Sequence, residues 1–413
     1  MADAVTMDVA SPAAPSDGLT LGRRLAIFVV LLVSEFLYGW AWNTVDVLRP
    51  YIRETLHLSL IQAGAMYSAQ GAGALTGAVV IGQLADRFGR RLMLSLLIFG
   101  YGAMLLLGAM IQNYPELMAQ RFLLGLFMGA SFPVGVGIYV NLFAATVRGR
   151  LAAMLNVCFS GAIMSLGIAM SMIGSQDWRV LLWIGGVPPL FLAFVVLLLI
   201  PARSVVDRFH VESGKLPISE LFHVGVRRQT LLLALMTGLN FFGYEAYSGW
   251  LTTYLTGDRG LSTAVAGNLV AWQFAGNIVG GFVWGYAADR FGRRFNALGF
   301  LIAATMIAIY LAVPTDLWVL RIVGLIYGGS LCASVIWGPW LAELYPPHLR
   351  STAASIFNWG RIISFFAPLV TAKLANVFGL RVAMASASLA FAIAAVIWLC
   401  QRETFGRGSS EVG

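Results

Sequence analysis

Charged residues are scarce in this 413-residue chain: they make up 11% of it, whereas hydrophobic residues make up 59%. The mean hydropathy is +0.80. A soluble protein of this length and composition would expose far more apolar surface than water tolerates. The composition therefore excludes a water-soluble globular fold and predicts a protein whose surface is covered by lipid.

Cysteine and histidine are rare as well. The 3 cysteines lie in apolar segments and lack disulfide or metal-ligand spacing, so we interpret them as packing residues. The 4 histidines lie in predicted loops, and no glycine-rich phosphate loop follows a strand pattern. These absences argue against hydrolytic or redox chemistry and against an ATP-driven pump. We expect no enzyme activity, no metal and no organic cofactor.

Long apolar segments are abundant. A segment of about 20 apolar residues crosses a hydrocarbon layer about 30 Å thick, and the chain has twelve such segments, six in each half. They predict an all-α membrane protein with twelve transmembrane helices in two six-helix bundles. The predicted spans, numbered 1 to 12, lie at about 25–47, 61–84, 92–111, 116–140, 151–173, 179–200, 229–254, 264–285, 295–313, 318–341, 351–373 and 380–400.

Loop composition predicts the domains and the orientation. Most of the 27 Lys and Arg residues fall in the loops on the side of the N-terminus, and such loops stay in the cytoplasm. We expect a multi-pass protein of the inner (plasma) membrane with both termini cytoplasmic. Contact of the basic loops with anionic lipids explains the net charge of +8, so no nucleic acid is needed as a partner. We also expect the protein to be a monomer. The predicted domains are a disordered tail at 1–24, a bundle at 25–200, a linker at 201–228, a bundle at 229–401 and a tail at 402–413.

One decapeptide is present twice. Residues 82–91 read GQLADRFGRR, and 203 positions later residues 285–294 read GYAADRFGRR. The same register pairs Gly64 with Gly267. A repeat at half the chain length is typical of transporters whose two halves move against each other.

The repeated decapeptide resembles the loop signature of the major facilitator superfamily, and the resemblance covers the chain from Leu25 to Arg402. It implies a fold of two six-helix bundles. The charged residues of both copies are expected to form a latch between the halves when that side is shut; alternatively, they only enforce topology. The latch candidates are Asp86, Arg87, Arg90, Asp289, Arg290 and Arg293.

Two further segments indicate a branch of that superfamily. RFLLGLFMGASFP at 121–133 and AELYPPHLRSTAASIFNWGR at 342–361 resemble spans 4, 10 and 11 of proton-coupled organic-acid symporters, particularly the aromatic acid:proton group. Where that group carries two aspartates on span 1, this chain has Tyr38 and Ala41. Span 5 lacks the Gly-Pro pair of the drug:proton antiporters, which argues against efflux by antiport.

Arg361 is the most informative charge within a span. A charge at bilayer depth costs about 2.5–3.5 kcal/mol on insertion scales, so it needs a function or a partner. Its planar guanidinium fits a carboxylate bidentately, which makes Arg361 the candidate receptor for an anionic substrate, with Asn358 one helical turn before it. The alternative is a structural ion pair with a buried acid.

Acidic residues within spans are the candidates for proton coupling, with the proton as the coupling ion. Glu35 lies near the middle of span 1, and Glu245 lies in span 7. Their alternative role is a polar contact between helices. Asp46 is the third acid, with a local i,i+3 pair to Arg49 as its alternative. Arg121 begins the span 4 segment that resembles the superfamily's signature, and this resemblance implies a role in proton transfer; snorkelling to the outer interface is its alternative.

Aromatic and amide side chains complete the predicted substrate site, because rings stack on rings and amides recognise hydroxyl or carbonyl groups. In span 7, Asn240, Gly243 and Tyr244 also predict a locally loosened helix. The predicted substrate-binding residues are Arg361, Asn358, Tyr38, Trp42, Gln70, Tyr244, Gln273 and Asn277.

These observations together predict a secondary active transporter. It would import a small organic anion, a monocarboxylate with an aromatic acid as one option, together with protons by alternating access. Two alternatives stay open: a proton-driven exporter of organic compounds, and a non-transporting membrane sensor on the same scaffold.

Overall fold

The computed structural model describes residues 19–143, 145–173, 177–201, 221–223, 225–345 and 356–404. Within these ranges the chain is helical and has no strand. Most of the predicted tails at 1–24 and 402–413 and of the linker at 201–228 lie outside the described residues, so those boundaries stay predictions.

The N-terminal half contains six spans and one short helix. Span 1 is followed by the short helix Arg49–Thr55, and span 4 is divided at Ala130. The bounds of spans 1 to 6 are Leu21–Val47, Leu60–Phe88, Arg90–Gly108, Tyr114–Gly129 with Ser131–Leu142, Ala145–Ile173 and Arg179–Leu199.

The C-terminal half repeats this arrangement with more irregular helices. Spans 7 and 10 continue beyond their first α-helix through 3-10 or π-helical turns into short α-helices. The first helices of spans 7 to 12 are Arg227–Tyr247, Thr263–Phe291, Ala297–Ala312, Leu317–Leu331, Ile356–Phe378 and Leu380–Leu399.

Nine helices in the described part of the chain are long and apolar enough to cross a membrane. Spans 2, 7 and 8 complete the twelve with helices of 29, 21 and 29 residues. Polar residues such as Gln70, Glu245 and Gln273 lower their hydropathy. Because polar side chains within a membrane face protein or a cavity rather than lipid, these three spans are the ones expected to line the interior.

The 203-residue repeat is visible in the local structure. Ser59 and Ser262 cap the N-termini of spans 2 and 8 by accepting a backbone N–H bond from the residue three positions on. Gly89 and Gly292 follow the same two spans with φ of 93° and 97°, a region that residues with a Cβ rarely adopt. The decapeptide thus makes the same turn twice.

Glycines hold the helices of each half close together. A Cβ added at Gly73 would overlap the carbonyl oxygen of Phe122, and one added at the repeat partner Gly276 would overlap that of Leu325. Spans 2 and 4, and likewise spans 8 and 10, therefore pack backbone to backbone. Lipid supplies no hydrophobic drive between helices, so such close packing is a main source of their association.

Span 7 differs from the sequence prediction. Its α-helix is continuous through Asn240, Gly243 and Tyr244, so the loosening predicted at these residues is wrong. The irregular part begins at Ser248–Trp250, which forms a 3-10 turn, and a π-helical turn follows at Tyr254–Asp258.

The physical reason lies in a contact that the sequence of span 7 does not show. The carbonyl of Gly249 accepts a hydrogen bond from the guanidinium of Arg49 in the other half. A carbonyl that is bonded from outside its helix is less available to the regular helical ladder, and the helix changes its geometry there.

Candidate functional site

The two halves meet at one end of the molecule. We call it the closed end: it carries the loops around residues 48–59 and 254–262, and the two decapeptides mark the opposite, signature end. A Cβ added at Gly267 of span 8 would overlap the carbonyl oxygen of Gly167 in span 5, and one added at Gly64 of span 2 would lie 2.8 Å from that of Pro368 in span 11. These backbone contacts bring the halves together without space for a side chain.

Hydrogen bonds join the halves along the same region. Thr252 Oγ1 donates to the carbonyl of Asp46 at 2.8 Å, and Ser160 Oγ donates to Oδ1 of Asn277 at 2.7 Å. Ser160 and Asn277 lie near the middle of spans 5 and 8. The described contacts between the halves thus extend from the closed end to about mid-membrane.

Arg53 and Asp258 face each other across the rim of the closed end. Burial raises the pKa of the Asp258 carboxyl, and the positive charge of Arg53 in the other half lowers it in part. Because Asp258 is exposed and Arg53 is half-buried, water screens this charge pair between the halves.

Arg361 lies in the space between the halves. Its guanidinium carbon is 5.8 Å from the centre of the Phe241 ring in span 7, and its charge acts on Glu35 and Tyr38 of span 1 and on Glu245 of span 7. The side chain is exposed, and among the described residues no carboxylate lies within ion-pair distance of it. An accessible cation flanked by spans 1 and 7 can receive an anion.

Glu35 faces the same region as Arg361. It is half-buried and lines a small cavity together with Ser34, Leu94 and Ser131 of spans 1, 3 and 4. A carboxyl group at this depth, within electrostatic reach of a cation, can change its protonation state when an anion binds that cation.

Aromatic rings form a row beside these charges. Tyr38 and Trp42 stack with their ring centres 6.0 Å apart; Phe159 lies 6.3 Å from Tyr38, and Tyr67 lies 6.2 Å from Trp42. Phe365 of span 11 continues the row at 6.2 Å from Tyr67. The row crosses from one half to the other. Tyr38, Tyr67 and Phe365 are buried, whereas Trp42 and Phe159 are half-buried and can offer part of their rings to a flat apolar group.

The predicted amide ligands make bonds within the protein. Gln70 donates to the carbonyl of Trp42 at 3.1 Å, and Gln273 donates to Ser248 Oγ at 2.9 Å. Asn277 accepts the bond between the halves described above. Their contact with a substrate stays a prediction.

The two other predicted ligands are Tyr244 and Asn358. Tyr244 is half-buried and lines a narrow cavity between the halves together with Asn43 and Gln273. The side chain of Asn358 lies outside the described residues, so its role also stays a prediction.

Asp46, Arg49 and Arg121 form a buried polar cluster at the closed end. Arg49 Nη2 lies 2.6 Å from Oδ1 of Asp46, so the local i,i+3 pair is present. Arg121 is 1% exposed and donates to Thr44 Oγ1 at 3.1 Å and to Gln70 Oε1 at 3.4 Å. It is therefore directed into the protein rather than to the membrane surface.

The arginines of the decapeptides make contacts within their own halves. Arg90 donates to the carbonyl of Gly137 at 2.8 Å. Arg293 bonds to Asp289 at 2.9 Å and to Glu343 at 3.4 Å. These contacts stabilise each half separately while the closed end is shut.

The remaining latch candidates are Asp86, Arg87 and Arg290. Arg87 and Arg290 lie beside the rings of Phe88 and Phe291, and the side chain of Asp86 lies outside the described residues. A latch between the halves at the signature end stays a prediction.

Several residues that form the closed end are not predicted from the sequence. Arg49 and Gly249 bind each other across the halves, and Gly167 faces Gly267. One sequence feature does indicate these contacts: the repeat pairs Gly64 with Gly267, and both glycines lie at contacts between the halves. From the sequence, Arg49 is expected only as a local partner of Asp46.

Two six-helix bundles around a charged, ring-lined space that is closed at one end define a membrane transporter. The sequence profile of the Major Facilitator Superfamily matches the chain twice, over residues 31–262 and 233–411. The chain belongs to this superfamily. It is a multi-pass membrane transporter and not an enzyme.

Several curated relatives have similar length. The chain is 26% identical to the 3-(3-hydroxy-phenyl)propionate transporter of Escherichia coli (strain K12), with 96% of this chain and 98% of the relative covered. It is 26% identical to a 4-hydroxybenzoate transporter of Acinetobacter baylyi, with 84% of each covered. It is 25% identical to a probable 4-methylmuconolactone transporter of Cupriavidus pinatubonensis, with 91% of each covered.

Solved structures share the fold. A bacterial homolog of the human lysosomal transporter Spinster aligns with a TM-score of 0.76 at 17% identity, covering 92% of this chain and 97% of that chain. The nucleoside transporter NupG aligns with a TM-score of 0.72 at 14% identity, covering 90% of this chain and 98% of that chain.

Proposed function

We propose that this transporter imports a small ring-bearing monocarboxylate together with protons across the inner membrane, as a monomer with both termini in the cytoplasm. The observation that carries this proposal is Arg361: an exposed guanidinium between spans 1 and 7, close to Phe241 and within electrostatic reach of Glu35.

In the proposed cycle the substrate carboxylate binds the guanidinium of Arg361 bidentately, and its ring packs against Tyr38 and Trp42. The anion neutralises the positive charge that acts on Glu35, so Glu35 binds a proton more readily when substrate is present. A site without net charge crosses the occluded state at lower cost, after which the two halves rock and open the other end.

The relatives support the choice of substrate. Two of them are named for transport of 4-hydroxybenzoate and of 3-(3-hydroxy-phenyl)propionate. Both compounds combine one carboxylate with one aromatic ring, which are the two chemical features that Arg361 and the row of rings are suited to bind.

Uptake of radiolabelled 4-hydroxybenzoate into right-side-out and inverted membrane vesicles tests the proposal. We expect right-side-out vesicles to accumulate it when the outside is acidic, and only to equilibrate it when the pH values are equal. Vesicles without the protein correct for passive permeation. Three results would contradict the proposal: accumulation only in exchange for protons leaving in the opposite direction, binding without flux, or equal accumulation with and without the pH gradient.

A further inference from the structure

Two carboxyl groups approach each other across the closed end. A Cβ added at Gly249 would lie 2.9 Å from Oε2 of Glu245 in span 7 and 3.4 Å from Oδ1 of Asp46 in span 1. The two oxygens thus flank one point from opposite halves. Asp46 is 6% exposed and Glu245 is 2% exposed, so both carboxyl groups are largely shielded from bulk water.

The hydrogen bonds around the pair stabilise the ionised carboxylate of Asp46 more than that of Glu245. Arg49 donates to Oδ1 of Asp46 and to the carbonyl of Gly249, and Arg121 donates to uncharged oxygens. The carboxyl of Glu245 has a hydrogen bond with Tyr67. Its Oε2, however, is buried without a hydrogen-bond partner among the described atoms.

The other charged and titratable groups around the pair come from five spans and from the short helix Arg49–Thr55. Arg361 of span 11 is the second cation within reach of Glu245, and Arg121 is the second cation within reach of Asp46. The groups that face the pair are Arg49 of the short helix, Tyr67 of span 2, Arg121 of span 4, Tyr244 of span 7, Tyr327 of span 10 and Arg361 of span 11.

We propose that Asp46 and Glu245 form one proton-binding site between the halves, and that the closed end shuts only when this pair holds a proton. Arg49 forms an ion pair with Asp46, whereas Glu245 has no ion-pair partner among the described residues. A second negative charge on Glu245, buried beside Asp46, would therefore be costly, so the pair holds one proton and titrates as a unit. The proton lies on Glu245, because the hydrogen bond from Arg49 stabilises the ionised form of Asp46. When the end opens, Asp46 moves away with its half, water enters, and Glu245 releases its proton.

This closure proton differs from the proton that accompanies the substrate. Glu35 is half-buried beside the space that contains Arg361, whereas Glu245 is buried beneath the closed end. A proton on Glu245 therefore returns to the side from which it came. Acidity on that side then favours closure. The inference rests on the alternating-access cycle proposed above, but its test requires no substrate.

Distance measurements between spin labels test the proposal. Cysteines at Gln112 and Thr315, in the loops of the closed end of each half, carry the labels in a protein whose native cysteines are replaced. Without substrate, we expect the ratio of closed to open molecules to rise by up to about tenfold per unit of decreasing pH, the slope for one proton. In Glu245→Gln and in Asp46→Asn this slope should disappear.

Glu116→Gln is the matched control, because Glu116 is an exposed acid at the same end, and it should keep the wild-type slope. A wild-type ratio that is constant between about pH 5 and pH 9 would overturn the proposal, independently of how the variants fold. An unchanged slope in both Glu245→Gln and Asp46→Asn would also overturn it. The same holds if the slope is lost in Asp258→Asn but in neither of those two variants. Failure to transport 4-hydroxybenzoate would leave these results unaffected.

Discussion

In a Gly267→Leu variant, we expect the closed end to stay open. Gly267 and Gly167 touch through their backbones, so an isobutyl group must push spans 5 and 8 apart to the separation of ordinary helices, which is about 8–10 Å between axes. Spin labels at Gln112 and Thr315 should move apart, and accumulation of 4-hydroxybenzoate should fall by more than about tenfold because the closed end no longer seals.

Gly281→Leu is the control for this substitution. Gly281 lies on the same span, but a Cβ added there meets no atom within 4 Å. We expect both the label distance and the transport rate to match those of the wild type. A Gly267→Leu protein that keeps the wild-type distance distribution would show that the glycine contact does not determine closure.

In an Arg361→Ala variant, we expect transport of ring-bearing monocarboxylates to be nearly lost. Arg361 is exposed in the open space, but we expect its pair with the substrate to be desolvated when the halves occlude the site. Removing one partner of such a desolvated charge pair costs about 2–5 kcal/mol. The ratio kcat/KM for 4-hydroxybenzoate uptake should therefore fall by about 30-fold to several thousand-fold. Arg361→Lys should be intermediate, because lysine keeps the charge but loses the planar fork.

Arg321→Ala provides the matched control for Arg361. Arg321 also lies in a span, but its guanidinium bonds to Asn268 at 3.0 Å and lies over the ring of Trp318, all within its own half. We expect a less than about threefold change in kcat/KM. Equal losses in both variants would show that any arginine in these spans supports the fold, and that Arg361 has no special role in binding.

Much of the scaffold could be predicted because it depends on local sequence. Hydropathy indicates twelve spans, and the 203-residue repeat predicts two related halves. The turns at Gly89 and Gly292 follow from the same register. Span 7 is harder to predict: Gly243 and Asn240 are weak helix formers, yet the helix changes at Gly249, where an arginine from the other half binds its carbonyl.

The candidate site could be predicted only in part, because its arrangement depends on how the halves dock. Helical periodicity places Glu35, Tyr38, Trp42 and Asp46 near one face of span 1. In the structure that face is divided: Glu35 is half-buried beside the space of Arg361, whereas Asp46 is buried in the contact with span 7. The sequence of one span does not show which residues on its inner face line the cavity and which are buried in the contact with the other half.

The central claim is that a substrate carboxylate binds Arg361. Calorimetric binding of benzoate and of benzamide, which shares the ring but lacks the charge, tests it most directly. We expect the wild-type protein to bind benzoate more than about tenfold more tightly than benzamide, a difference of at least about 1.4 kcal/mol. Arg361→Gln should lose this preference. Equal affinity for both compounds in the wild type, or a preference that persists in Arg361→Gln, would contradict it.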